Sequence, residues 1–353
     1  MASTPATGST RGTVPVPRLA QHLVHLDDGH RVQVSVAGRG VPFVVMHGFT
    51  AEGFLYAQTL SRLVSSGFKV VAIDSAGHGG TEGLRVGGGD LSGYAELLGR
   101  VVDHLGIKRA VFAGHSMGGR LVTELVARRP EMAVAVILVD AIVGEAWDRR
   151  VAVSRFVPPV LAVTGGVLIA DMVITLPVVR NPKQALKLGR LWAPVWLHNA
   201  RRPWGVVGAG VSILRSGPSR WMLEKLAEDL VPTFVIHGDR DVAVPLQTAR
   251  DAAARARGEL IVVHGGTHSW PLKDPETMPA IVAELLTDSL GEACRVAVTK
   301  EGLPLDNENI ADIESVLYEP DALVLDLTPE LRFDRSHLRR GRPRYTWTRQ
   351  APR

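Results

Sequence analysis

With 353 residues, 46% of them apolar, the chain is long and apolar enough to bury one large core or two smaller ones. A single cysteine, Cys294, excludes a disulfide framework and any cysteine-ligated metal site. The net charge of +4 is local, since residues 331–353 carry eight Arg against one acidic residue and residues 301–330 carry nine Asp or Glu without a Lys or Arg. Two opposite blocks of this kind can pair with each other, so no nucleic-acid partner is expected.

Residues 1–18, rich in Ser, Thr, Pro and Gly, lack the apolar stretch of a secretory signal and read as a disordered lead. The expected location is the cytoplasm. Alternating runs at 19–26 and 31–37 flank Asp27-Asp28-Gly29 and predict an opening β-hairpin. Apolar strands near 41–46, 69–73, 109–114, 134–139, 232–237 and 259–264 then alternate with helical patterns near 54–66, 91–105, 117–129, 246–257 and 275–289. This order predicts an α/β fold, a mostly parallel central sheet with helices on both faces and functional loops at the strands' C-terminal ends.

The core is read as 19–143 plus 221–290. Between 144 and 220 the alternation stops, which predicts an inserted helical cap. Residues 157–179 hold one charge, Asp171, but Pro158, Pro159, Gly165, Gly166 and Pro177 interrupt them, so they read as cap rather than membrane span. Residues 291–353 form a C-terminal extension, acidic and then Arg-rich, with a small element around 316–327 and a flexible end.

Gly114-His115-Ser116-Met117-Gly118 joins a strand to a helix, the context of a nucleophile elbow whose glycines permit the sharp turn. The strand 41–46 runs into His47-Gly48-Phe49, a turn whose amides are oriented for an oxygen that becomes negative. Phe49 N–H and Met117 N–H are the candidate oxyanion donors; His47 reads as structural. The strand beginning at Thr233 ends in Gly238-Asp239-Arg240-Asp241, and the strand beginning at Leu260 ends in His264-Gly265-Gly266-Thr267-His268. A serine nucleophile needs an imidazole within hydrogen-bond reach and a carboxylate to orient that imidazole. Ser116, Asp241 and His268 follow one another in that order. Asp239 and Asp140 are rival acids and His264 a rival base, while Asp74 and His78 read as parts of a structural turn.

The His-Gly-Phe loop, the elbow, the segment from Gly238 to Pro245 and Gly266-Thr267-His268 together resemble the α/β-hydrolase superfamily over about residues 20–290, in particular a serine-nucleophile, capped, esterase- or lipase-like member. That resemblance implies the α/β-hydrolase fold and puts the acid three residues after Gly238, at Asp241. It implies a serine hydrolase acting on a small carboxylic ester, with a hydrophobic acyl group suited to an apolar cap and with no metal or organic cofactor. Relatives with the same triad cleave carbon–carbon bonds or use peroxide in place of water, as perhydrolases and haloperoxidases do, so these chemistries stay open. Epoxide hydrolases and haloalkane dehalogenases carry an aspartate where this chain has Ser116. A non-catalytic binding protein on the same fold is the remaining alternative. Arg201-Arg202-Pro203-Trp204 offers the cap a peripheral contact with an anionic lipid surface.

Overall fold

The computed structural model describes residues 16–84, 90–156, 203–304, 309–327, 330–332 and 341–352, with isolated helical positions between 186 and 201. Its strands are β1 (Val16–Arg18), β2 (Ala20–His25), β3 (Arg31–Ala37), β4 (Val41–Met46), β5 (Phe68–Ile73), β6 (Ala110–His115), β7 (Ala133–Val139), β8 (Thr233–Gly238), β9 (Glu259–Val263), β10 (Glu330–Arg332) and β11 (Trp347–Gln350). Nine of them form one sheet in the order β11-β9-β8-β7-β6-β4-β5-β3-β2. The run from β9 to β5 is parallel, and antiparallel strands close it at both edges.

The central strands read as unbroken apolar runs because both of their faces are covered: β5, β6, β8 and β9 are buried at every residue. Side chains alternate between two cores. Val44 and Met46 enter the one covered by helices Ser92–His104, Met117–Arg128, Arg220–Glu228 and Leu246–Ala256, whereas Phe43 and Val45 enter the one covered by Ala57–Val64, Thr277–Leu286 and Ser289–Lys300. In the second core Phe43 and Phe68 meet edge to face at 4.9 Å. The opening hairpin closes with Gly29 at φ +76° and Leu26 N–H donating to His30 O at 2.9 Å.

The chain between β7 and β8 contains helices Glu145–Phe156 and Pro203–Arg215. Ser219 ties the two ends of this segment, its hydroxyl accepting from Gly144 N–H at 2.8 Å while its own N–H donates to Asp148 Oδ2 at 2.7 Å. Helix Pro203–Arg215 crosses the loop after β5 so closely that a Cβ on Gly205 would lie 2.2 Å from Gly77 O. Residues 157–179 lie outside the described residues. Among those described, no helix is long and apolar enough to cross a membrane.

The ends of the chain differ from the sequence expectation. Residues 16–18, assigned there to the disordered lead, pair as β1 with β10. The Arg-rich end is not uniformly flexible, because residues 347–350 form β11 on the open edge of β9. Its anchor is Arg349, which bonds Glu259 and, at 2.9 Å, Asp288; Trp347 Nε1–H donates to Glu284 at 2.8 Å. Among the described residues the ion pairs of the acidic block are made with the core. Within the acidic block Glu314 meets Arg39 and Glu301 meets Arg109, both on the core. A short, mostly polar run hid β11, which pairs with β9 along its backbone and is held by the Arg349 and Trp347 side chains.

Arg349→Ala is expected to lower stability by about 1–2 kcal/mol, as befits a half-buried, multiply bonded ion cluster. Thermal denaturation should register this as a fall in melting temperature of roughly 2–6 °C.

Candidate active site

Ser116 stands between β6 and helix Met117–Arg128 with φ +52° and ψ −116°, a strained conformation for a residue with a side chain. The neighbourhood over-determines it. Ser116 N–H donates to Val139 O at 2.9 Å, and Ser116 O accepts from Gly119 and Ile142 at 3.1 and 3.2 Å. A Cβ on Gly118 would lie 2.2 Å from Met46 O, and one on Gly119 would lie 2.4 Å from Ala141 Cβ. Both glycines therefore let β4, β6 and the loop after β7 converge on the turn.

The structure brings His268 and Asp241 to this serine. His268 Nε2 lies 3.0 Å from Ser116 Oγ, and His268 Nδ1 lies 2.7 Å from Asp241 Oδ2. A carboxylate only accepts, so Nδ1 carries the proton and Nε2 presents its lone pair to the hydroxyl. Asp241 Oδ1 accepts Ala243 and Val244 N–H, each at 2.8 Å. Burial would raise this carboxyl, but His268 and the amide of Val244 outweigh it and hold Asp241 below the usual carboxylate range.

The rivals fall elsewhere. Asp239 Oδ2 lies 3.2 Å from His264 Nδ1 and Asp239 Oδ1 accepts Gly265 N–H at 2.7 Å, so these two pair with each other at the surface. Asp140 is fully buried and accepts Gly238 N–H at 2.9 Å.

On the opposite side of the serine, Gly48 approaches the elbow so closely that a Cβ there would lie 2.7 Å from His115 Nδ1. His47 Nδ1–H donates to Gly48 O at 2.8 Å and its Nε2 accepts Ser75 N–H at 2.9 Å. The carbonyl it holds belongs to the same peptide plane as Phe49 N–H, so His47 also sets the direction of that amide. Burial, with His78 beside it, pushes His47 down to about 3 and keeps it neutral. Asp74 accepts Gly53 N–H at 2.7 Å and burial pushes it up to about 7. Met117 N–H is among the first-turn amides that a helix cannot satisfy internally.

Two residues given no role in the sequence reading complete the surroundings. His115 Nε2–H donates to His268 O at 2.9 Å, leaving His115 Nδ1 to accept the Tyr56 hydroxyl at 2.9 Å. The backbone of the histidine loop is thereby tied to the elbow itself. Position x of a G-x-S-x-G motif carries no requirement for histidine, and Tyr56 lies in no motif, so neither left a signal.

The sequence profile of the alpha/beta hydrolase family matches residues 43–284. The chain belongs to that family. A protein of Mycobacterium phage D29 named for non-heme haloperoxidase activity is 32% identical over 274 residues, covering 76% of this chain and 96% of its own length. A monoacylglycerol lipase of Mycolicibacterium smegmatis is 29% identical over 245 residues, covering 67% of this chain and 84% of that one. Among solved structures, an esterase from Exiguobacterium antarcticum matches with a TM-score of 0.58 at 19% identity, over 76% of this chain and 100% of that one.

His47 has a consequence for acid stability. Its pKa falls from 6.5 to about 3 on folding, so below pH 6.5 the unfolded chain gains a proton that the folded chain refuses. Its contribution is present above that pH and is lost as the pH falls toward 3. His47→Asn, which cannot reach both partners, should cost about 1–3 kcal/mol at neutral pH. In urea titrations the gap between the two proteins is expected to narrow steadily below pH 6.5.

Proposed function

We propose that the chain is a serine hydrolase of carboxylic esters with a hydrophobic acyl group, working through an acyl-enzyme. The observation that carries this reading is the relay from Ser116 Oγ to His268 Nε2 at 3.0 Å and from His268 Nδ1 to Asp241 at 2.7 Å. In it, Ser116 Oγ attacks the ester carbonyl while His268 Nε2 takes the hydroxyl proton. Asp241 steadies the imidazolium without taking that proton itself. The amides of Phe49 and Met117 hold the oxyanion, and removal of one such donor typically costs about 10²–10³ in rate. Collapse expels the alcohol, protonated by His268, which next activates water to release the acid.

Three observations support an apolar, lipid-like substrate. Trp204 and Phe156 on the insertion's helices are more than four-fifths exposed. Helix Pro203–Arg215 overlies Phe49, since a Cβ on Gly210 would lie 3.5 Å from the Phe49 ring. The M. smegmatis relative is a monoacylglycerol lipase. On this reading the insertion is a cap that meets a lipid surface peripherally, with Arg155 and Arg201 beside its exposed aromatics.

The name of the phage relative favours a second reading, in which hydrogen peroxide replaces water and the acyl-enzyme yields a peracid. Peroxide-dependent halogenation of monochlorodimedone in acetate buffer separates the two.

Ser116→Ala is expected to abolish turnover of p-nitrophenyl esters and labelling by a fluorophosphonate, with the melting temperature unchanged. Full labelling of that variant would overturn the reading, and absence of labelling in the wild type would favour the binding-protein alternative. Asp241→Asn should cost roughly 10²–10⁴ in kcat because it releases the His268 tautomer. Asp239→Asn should leave kcat within a factor of about 3, as for an exposed side chain outside the relay.

The substrate class has its own test. Across esters from acetate to palmitate, kcat/KM should rise with chain length, and anionic vesicles should raise it further for long chains, as an opening cap admits lipid. Trp204→Ala should remove the vesicle effect while leaving acetate turnover unaltered. A flat chain-length profile would retain the serine chemistry and discard the lipid-like substrate.

A further inference from the structure

Behind Asp241 lie two buried side chains that this chemistry does not use. His237 Nε2 lies 2.8 Å from Val244 O, and a carbonyl only accepts, so Nε2 carries a ring proton. In a neutral ring Nδ1 is then a lone pair. It faces Asp140 Oδ1 at 3.6 Å, too far for a hydrogen bond, and that oxygen already accepts Gly238 N–H. Among the described residues neither His237 Nδ1 nor Asp140 Oδ2 has a hydrogen-bond partner, and the two side chains are 1% and 0% exposed.

An ionised Asp140 facing a neutral imidazole here would be a buried charge, relieved mainly by the Gly238 amide, opposite a lone pair, an expensive arrangement. One added proton removes the charge. The other titratable groups around Asp140 do not supply it: Asp241 is committed to His268, His268 directs its Nδ1 proton to Asp241, and Tyr56 directs its hydroxyl to His115. The indole of Trp270 flanks the carboxyl and is not titratable. Asp140, His237 and Asp241 do offer ligand atoms within 4.8 Å of one another. His237, however, turns Nδ1 to Asp140 and the proton-bearing Nε2, 3.7 Å away, to Asp241, so no single cation could use its lone pair and both carboxylates.

We infer that Asp140 and His237 jointly retain one proton behind Asp241, and that they are positioning residues which keep the negative charge behind His268 at a single carboxylate. Burial and the Asp241 charge push the Asp140 carboxyl up by more than His268, the Gly238 amide and the Trp270 indole lower it, while burial pushes His237 down, so the proton rests on Asp140. With two ionised carboxylates nearby, His268 would hold its second proton to higher pH and be a poorer base at neutrality. The retained proton never reaches the substrate. Its kinetic consequence rests on the serine-hydrolase reading, but its presence does not.

Asp140→Asn in the full chain tests the kinetic part, because asparagine is always neutral and can still accept Gly238 N–H. The acid limb of kcat/KM for a p-nitrophenyl ester is expected to stay within about 0.5 pH unit of wild type; a larger downward shift means that a charge was removed and overturns the inference. Infrared spectra of the wild type at pH 8, in H2O and D2O, read the proton directly. A deuterium-sensitive carboxylic acid band that persists there, survives Asp74→Asn and disappears in Asp140→Asn is the expected result. Absence of such a band in the wild type overturns the inference even where Asp140→Asn does not fold. A wild type that shows the band but neither hydrolyses esters nor takes a fluorophosphonate would fail the hydrolase reading alone.

Discussion

The constraint on which the site depends is backbone crowding at the C-terminal ends of the parallel strands. Gly118 has room for a hydrogen and nothing more against Met46 O; Gly238 and Gly266 touch in the same way, with a Cβ on Gly238 lying 2.4 Å from Gly266 O. Each contact draws one functional loop against its neighbour, so the loops after β4, β6, β8 and β9 share a common frame. The strained φ of Ser116 persists because that frame leaves the turn no relaxed alternative. Stability elsewhere, in the two apolar cores that sandwich the sheet, holds the frame rigid.

Around the serine the polypeptide collects buried imidazoles and assigns them different partners. His47, His78, His115 and His237 each direct an N–H at a backbone carbonyl, whereas His268 directs one at a carboxylate. The first arrangement rewards a neutral ring, and burial penalises a charged one. The second supports a ring that gains a charge. Residues of one chemical type are thus divided by the hydrogen-bond acceptor opposite them, with four set on backbone carbonyls and one on a carboxylate.

Much of this was legible in the residues. Apolar runs covered on both faces announce themselves as strands, and the glycines flanking Ser116, like those preceding His268, mark turns that only a tight backbone needs. Spacing within the loop after β8 separated Asp241 from Asp239 only by family resemblance; the physical difference is that Asp241 turns inward onto two amides while Asp239 folds back over Gly265. What stayed hidden depends on contacts between remote segments. Tyr56 meets His115 across 59 residues and Asp140 meets Gly238 across 98, and neither partner carries a local pattern. The same reason concealed β11, whose short polar run acquires its conformation only from the edge of β9.

The seam between β7 and β8 has a topological meaning. The insertion interrupts the chain there, yet the strands on either side are neighbours in the sheet, from Val136 opposite Thr233 to Val139 opposite Ile236. Ser116 lies on one side of the interruption, Asp241 and His268 on the other. β1 and β10 add a second clasp between the two halves, far from the first along the chain. Strand pairing and a shared core therefore join the chain on either side of that segment directly. The two stretches of chain meet at the serine, and the sheet itself, as much as the covalent path between β7 and β8, holds them in register.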